Sequence, residues 1–415
     1  MKKKLFRQML NEWQSNLWIV IEFIIVSVVL WFICDYFSSA YCIYNNPRGF
    51  DSSHCYLLDL YEITDKSPEY LEGRTEEQMI EDKLEILERL KRRPEVEAAS
   101  YSNNSYPYNG SNSGITLRYD STTAEGLRRL VTPDFVRVFR YRGINGESPE
   151  QLAKELEEGR MILSENFFSF ETDKVKDVSK LIADSIKLPD NEEITIPFGT
   201  PIEPVRYDDY NIWSQTALIT TSFTGSSALL WMDELCIRVR EDMDKDIIAG
   251  LMKDAQSQFH VGNYILSNVE SFDTLRENYH LDTSNKQRNY IACMIFLLIN
   301  IFLGLLGTFW FRTQQRVQEV ALRKVNGATS RSVFGRLITE GLILLAIATP
   351  IAFGLDCLLA HFELNSPYYD YLEWDRMIVC VLIVAALMAL MIVAGICFPA
   401  RKAMKIEPAI ALKDE

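Results

Sequence analysis

Four stretches of this chain, Leu17–Phe37, Tyr290–Phe311, Gly341–Phe362 and Met377–Phe398, are apolar over the roughly 20 residues that cover a ~30 Å hydrocarbon core. Within hydrocarbon a lone segment satisfies its own backbone polar groups only as a helix, so all four are expected to be transmembrane helices. The basic residues between them fall on one side. Lys2, Lys3, Lys4 and Arg7 precede the first span. Arg312, Arg316, Arg323, Lys324, Arg331 and Arg336 follow the second, and Arg401, Lys402 and Lys405 follow the fourth. The positive-inside rule puts these pieces and both termini in the cytoplasm.

Parity then places residues 38–289 and the short acidic loop with Glu363, Asp370, Glu373 and Asp375 on the outer side. The division is a cytoplasmic segment 1–16, a first span 17–37, an outer α/β domain 38–289 of two subdomains, and spans at 290–311, 341–362 and 377–398. A cytoplasmic loop 312–340, an outer loop 363–376 and a cytoplasmic tail 399–415 complete it. The net charge of −14 hides this segregation of basic inner pieces from an acidic outer domain, which argues against nucleic acid as a partner. The first span is read as an uncleaved anchor: it exceeds an ordinary signal h-region and ends in bulky Cys34-Asp35-Tyr36-Phe37 rather than a small-x-small site. Trp13, Trp18, Trp31, Tyr36 and Tyr41 suit its interfacial ends.

The outer domain alternates helical and strand patterns. Thr75 and Gln78 form a capping-box signature for a helix over 75–93, stopped by Pro94 and followed by a strand over 96–101. A helix is expected over 148–158, a strand over 160–164, a half-buried strand over 235–240 and a helix over 244–255. The Asn-, Ser- and Gly-rich stretch 103–114 reads as a solvated loop, with Tyr101, Tyr106 and Tyr108 the alternative of a contact surface. Leu275–Arg288 runs into the second span without a turn signal, as a continuous helix would.

Chemistry-bearing clusters are sparse. Cys34, Cys293, Cys357, Cys380 and Cys397 lie in or beside spans, and Cys42, Cys55 and Cys236 lie outside without CxxC spacing. That spacing gives no metal site and leaves a Cys42–Cys55 disulfide open. His54, His260, His280 and His361 show no ligand pairing, and no Ser/His/Asp or Cys/His arrangement suggests an enzyme. Ionisable groups within the spans are few, chiefly Glu22, Glu340 and Asp356, so no hydrophilic pathway is evident. Pro350 interrupts the third span and is a candidate hinge.

The richest segment is 314–340. Val317, Val320, Ala321 and Val325 share one helical stripe, and Glu319 is placed to pair with Arg323 at i, i+4. Gly327 is the expected helix stop, and Thr329 or Ser330 the cap of the next helix, which continues into span three. Physics alone supports equally a basic helix that holds lipid headgroups.

The run Glu319-Val320-Ala321-Leu322-Arg323-Lys324-Val325-Asn326-Gly327-Ala328-Thr329 resembles the signature of the FtsX-like permease domain of MacB-type ABC transporters. Glu340 matches a recurrent acidic position of that domain. Pro399, Arg401 and Pro408 belong to a tail, 399–412, similar to its closing motif, and Val131–Val136 with Gly159-Arg160 and Ile162–Glu165 resembles part of the outer domain.

The resemblance implies a non-catalytic permease subunit in a bacterial inner membrane, with Arg316, Glu319, Arg323, Lys324 and Gly327 as the contact to a separate ATPase. The chain has no GxxxxGK[ST] and no room for a fused ATPase domain. It implies no cofactor bound directly, with ATP and Mg on the ATPase, and mechanotransmission to a periplasmic domain that drives efflux. Implied partners are a second permease copy, a periplasmic adaptor with an outer-membrane channel, and membrane lipids. The alternative it leaves is an FtsX-like regulator that activates a cell-wall hydrolase.

Overall fold

In the computed structural model the chain divides into two units, Met1–Asn45 with Ser284–Glu415, and Asn46–Thr283. Every residue is described except 1–12, 112, 120–121, 168–184, 189–190, 207, 211–216, 222–225, 316–321, 323–324, 326, 366–372 and 406–415.

The first unit holds four helices long and apolar enough to cross a membrane. The first, α1, covers Trp13–Asn45 and so runs eight residues past the expected span. The other three are numbered here by their place in the chain: α7 (Leu281–Gln315), α8 (Ser330–His361) and α9 (Trp374–Lys405). Helices α1, α8 and α9 pack on one another, and α7 buries much less of itself. In α9 the buried positions Met377, Cys380, Val384, Met388 and Ile392 recur at three- and four-residue spacing, while Ile378, Val379, Leu382, Ile383 and Leu390 are exposed. A helix apolar on every side, with one stripe against its neighbours, suits a lipid solvent.

The second unit, Asn46–Thr283, holds the strands. Its strands are β1 (Cys55–Glu62), β2 (Val96–Asn103), β3 (Ser113–Tyr119), β4 (Thr122–Val131), β5 (Ile162–Leu163), β6 (Ser185–Leu188), β7 (Asn191–Pro197), β8 (Ala217–Thr220), β9 (Glu234–Val239), β10 (His260–Val261) and β11 (Tyr264–Ser271). Nine of them form one sheet in the order β10-β11-β1-β9-β2-β4-β8-β5, with β3 beside β4, and β6–β7 pair separately. Every pairing in the large sheet is antiparallel except β4 with β8.

Helices cover both faces. On one lie α2 (Glu76–Lys91) and α5 (Ile247–Gln258), packed on Tyr56, Leu58, Ala99, Tyr101, Leu235 and Ile237. On the other, α3 (Phe135–Val138), α4 (Pro149–Glu157) and α6 (Phe272–Tyr279) supply Phe135, Leu152 and Phe272 against Leu57, Ala98 and Cys236. One set of strands therefore serves both layers.

Local chemistry explains the helix starts. Thr75 Oγ1 accepts from Gln78 N at 3.3 Å while Gln78 Oε1 accepts from Thr75 N at 3.1 Å, so the capping box is complete. In α2 it is Lys83 that faces inward and Leu84 that is exposed. The buried ammonium donates to the carbonyls of Leu229, Leu230 and Met232 at 3.0–3.2 Å and pairs with Asp233 at 3.1 Å, which satisfies its charge.

Several expectations are corrected. Strand β9 is buried on both faces, not half-buried: Arg238, at an apparent solvent position, is fully enclosed and donates to Val138 O at 2.6 Å and to Asp51 O. The helix expected from Asp244 begins at Ile247, because Asp244 is held by His54 Nδ1 at 2.9 Å and by the Tyr56 hydroxyl. The strand expected over 160–164 pairs on β8 only at Ile162 and Leu163. The helix expected to run unbroken over 275–288 ends at Tyr279 with His280 as its cap, and α7 starts at Leu281. The stretch 103–114 is not a solvated loop: Tyr101, Ser105 and Tyr108 are buried, and Tyr108 sits in the left-handed region at φ 68°.

Candidate functional site

The backbone between α7 and α8 turns where glycine allows it. Gly327 has φ +87°, a conformation in which L side chains meet their own carbonyl, and among the described residues nothing lies within 4 Å of where a Cβ would stand. Two residues on, Thr329 takes extended angles and its Oγ1 accepts from Ser332 N at 3.3 Å, capping α8. Thr329, not Ser330, is thus the cap, and α8 starts eleven residues before the apolar span at Gly341. Of the other proposed contact residues, Arg316, Glu319, Arg323 and Lys324 lie outside the described residues. Leu322 and Val325, from the same segment, are exposed.

Deeper in the unit the structure brings polar side chains together. Thr308 Oγ1 donates to Glu22 at 3.1 Å and 3.3 Å, joining α7 to α1. Glu340 is buried within α8. Asp356 is buried beside a cavity of ≈ 10 Å³ that Ser27, Thr349 and Ala385 also line, enough for about one water. Pro350 lies inside α8, which continues through it; the missing N–H frees the carbonyl of Ala346. Pro399 and Arg401 fall in α9, which runs to Lys405, and Pro408 lies outside the described residues.

Residues not singled out from sequence form a buried ion pair in this unit. Arg376 Nε is 2.8 Å from Asp35 Oδ1, and Asn365 Nδ2 donates to Asp35 Oδ2 at 3.2 Å, with all three side chains buried. In the sequence Asp35 stands out only among the bulky residues that close the first span, and Arg376 goes unremarked. A carboxylate near the end of one apolar helix and a guanidinium at the start of another was the available signal.

Elsewhere the candidate chemistry is structural. Among the described residues no group of His, Cys, Asp and Glu is placed to hold a metal. Cys42 and Cys55 are both free thiols. Burial pushes the Cys55 thiol up to about 12, and its S–H lies 3.2 Å from Val138 O, so it is a core donor and not a nucleophile.

Residues 291–408 match the family model described as FtsX-like permease C-terminal. This stretch resembles the C-terminal domain of FtsX-like permeases. The FtsX-like domain includes the Gly327–Thr329 turn, Glu340, Pro350, Asp356 and Arg376, and its motif at 319–329 is the one that carried the resemblance. Around that stretch the chain carries four helices long and apolar enough to cross a membrane and an α/β unit between the first and second of them. Among solved structures, the extracellular domain of the noncanonic ABC-type transporter YknZ from Gram-positive bacteria is similar at 10% identity and a TM-score of 0.29. That likeness covers 51% of this chain and 100% of that one. No curated protein matches the chain by sequence.

Proposed function

We propose that this chain is the transmembrane subunit of a MacB-type ABC complex, which borrows a separate ATPase and passes the motion of that ATPase to its outer unit. The observation that carries this reading is the tight turn at Gly327 and Thr329 inside the FtsX-like domain. A segment docked on an ATPase and joined by a capped turn to α8 displaces a membrane helix whenever it is displaced itself. Substrate need not cross the bilayer in such a device. The apolar lining of the α1, α8 and α9 bundle agrees, since the buried polar groups there are enclosed by helices rather than strung along a channel.

In this reading the basic segments and both termini are cytoplasmic, the outer unit is periplasmic, two permease copies pair, and the chain itself performs no catalysis. ATP and Mg belong to the ATPase, and an adaptor with an outer-membrane channel would complete an efflux pathway. The test is purification of the complex from native membranes followed by mass spectrometry. The reading requires a nucleotide-binding ATPase at stoichiometric amount. Its absence, with the chain intact, rejects the proposal, and a cell-wall hydrolase found in place of an adaptor selects the regulator alternative.

A further inference from the structure

The polypeptide reaches the outer unit from α1 at Asn46 and leaves it for α7 at His280, and both places are held by Arg206 and Asp209. Arg206 N donates to Arg48 O at 2.9 Å, and its guanidinium donates to Asn46 O at 3.1 Å and to Asp209 O at 2.9 Å. The Asp209 carboxylate, 4% exposed, then gathers both sides. Oδ1 lies 3.5 Å from Arg48 Nη1 and accepts from the Tyr108 hydroxyl at 3.2 Å. Oδ2 accepts from Arg276 Nε and lies 3.3 Å from His280 Nε2.

The surroundings fix this geometry. Tyr108 also accepts from Arg48 at 2.8 Å, and its ring packs on Phe50, Tyr279 and His280 at 5.5–6.1 Å between centroids. That packing offsets its left-handed backbone, a conformation unfavourable for a residue with a side chain. Gly49 has φ +78°, and a Cβ there would overlap Pro204 O, so the arriving segment lies against Pro204 more closely than any side chain permits.

We propose that Arg206 and Asp209 form a clasp that ties the segment arriving from α1 to the segment leaving for α7, so that the two helices act on the outer unit as a pair. This rests on the permease reading above. A buried carboxylate shared by Arg48, Arg276 and His280 is a tie whose loss frees both arms at once, whereas backbone contacts alone hold them separately. Motion of one helix is then felt at the other through side chains of the outer unit.

The test is hydrogen exchange by mass spectrometry on the full chain in bilayers, alone and with its ATPase. In Asp209→Asn the peptides spanning 46–50 and 276–281 should both exchange at least about tenfold faster, the factor that corresponds to losing one charge-assisted hydrogen bond, with β9 unchanged. Should that variant fail to fold, Arg276→Gln, on a partly exposed side chain, should loosen 276–281 and weaken protection at 46–50. Unchanged exchange in either arm overturns the clasp.

With the ATPase present, adding ATP should alter both arms together in the natural chain and break that coincidence in Asp209→Asn. If the variant's arms still respond together, the clasp does not transmit and the proposal falls, while the permease reading stands. If ATP alters neither arm in the natural chain, the permease reading fails and takes the transmitting role with it, even where the clasp's own protection is as expected.

Discussion

Arg376 and Asp35 pair inside the membrane unit, Nε to Oδ1 at 2.8 Å, with Asn365 on the other carboxylate oxygen at 3.2 Å. The pair ties the start of α9 to α1 while Asn365 adds the segment after α8, so two helices and that segment meet at one carboxylate. Removing one partner leaves the other charged and enclosed. Asp35→Ala should cost about 3–5 kcal/mol of membrane-unit stability, and the double change Asp35→Asn with Arg376→Met much less than the two single changes added. Unfolding in bicelles measures this, and additive costs would mean that the two side chains do not depend on each other.

Gly327→Val should strain the turn without a steric clash, because among the described residues no atom stands near its missing Cβ. The cost is then purely conformational, about 1–2 kcal/mol. Thr329→Ala removes the cap of α8 and should cost roughly 1 kcal/mol. Both variants are expected to insert at natural levels, and Gly327→Asn, which tolerates the left-handed region, should behave better than Gly327→Val. Equal behaviour of the two would show that φ at 327 is not limiting.

Charge segregation predicts sidedness. In a background without the exposed Cys42, cysteines at Ser111 or Asn191 should react with a membrane-impermeant thiol reagent in intact spheroplasts, and one at Ser330 should not. Labelling at 330 from outside contradicts the orientation.

Asp209 sets a pH dependence. Burial pushes its carboxyl up, but the hydrogen bonds of His280 and Arg276 and the charges of Arg276 and Arg48 outweigh burial and hold it well below its ordinary 3.8. A carboxylate so depressed contributes stability that is complete above the unfolded value and is lost as pH falls through the folded one. Thermal stability of the outer unit in the full chain should therefore drop below about pH 4. Asp209→Asn should be less stable at pH 7 and show a shallower acid slope; an unchanged slope would remove Asp209 from the account.

What was legible in sequence was local. The Thr75–Gln78 box and the Gly327–Thr329 turn each involve residues two or three apart, so the chemistry that forms them is visible in a single line of text. Span positions were legible for the same reason, although α1 and α8 extend well beyond the apolar windows because a helix does not stop where hydrocarbon stops. Arg238 and Asp209 were not. The partners of Arg238 are at 51 and 138, those of Asp209 at 48, 108, 276 and 280, and only the folded sheet brings them within reach. The polar loop at 103–114 misled because its tyrosines and Ser105 find partners in the core, which composition does not reveal.

The central claim is that motion of a separate ATPase enters this chain at the turn before α8. Its most direct measurement is ATP hydrolysis by the partner ATPase reconstituted with the chain in proteoliposomes, comparing the natural sequence with Arg323→Glu and Gly327→Val. The chain alone should hydrolyse no ATP, and the natural complex should hydrolyse ATP at a rate that responds to the permease. Arg323→Glu should lose ATPase association, because it reverses the sign offered to the partner, and Gly327→Val should keep association but lose the response. If both variants associate and respond like the natural chain at equal expression, the segment is only a membrane-surface helix and the account is contradicted.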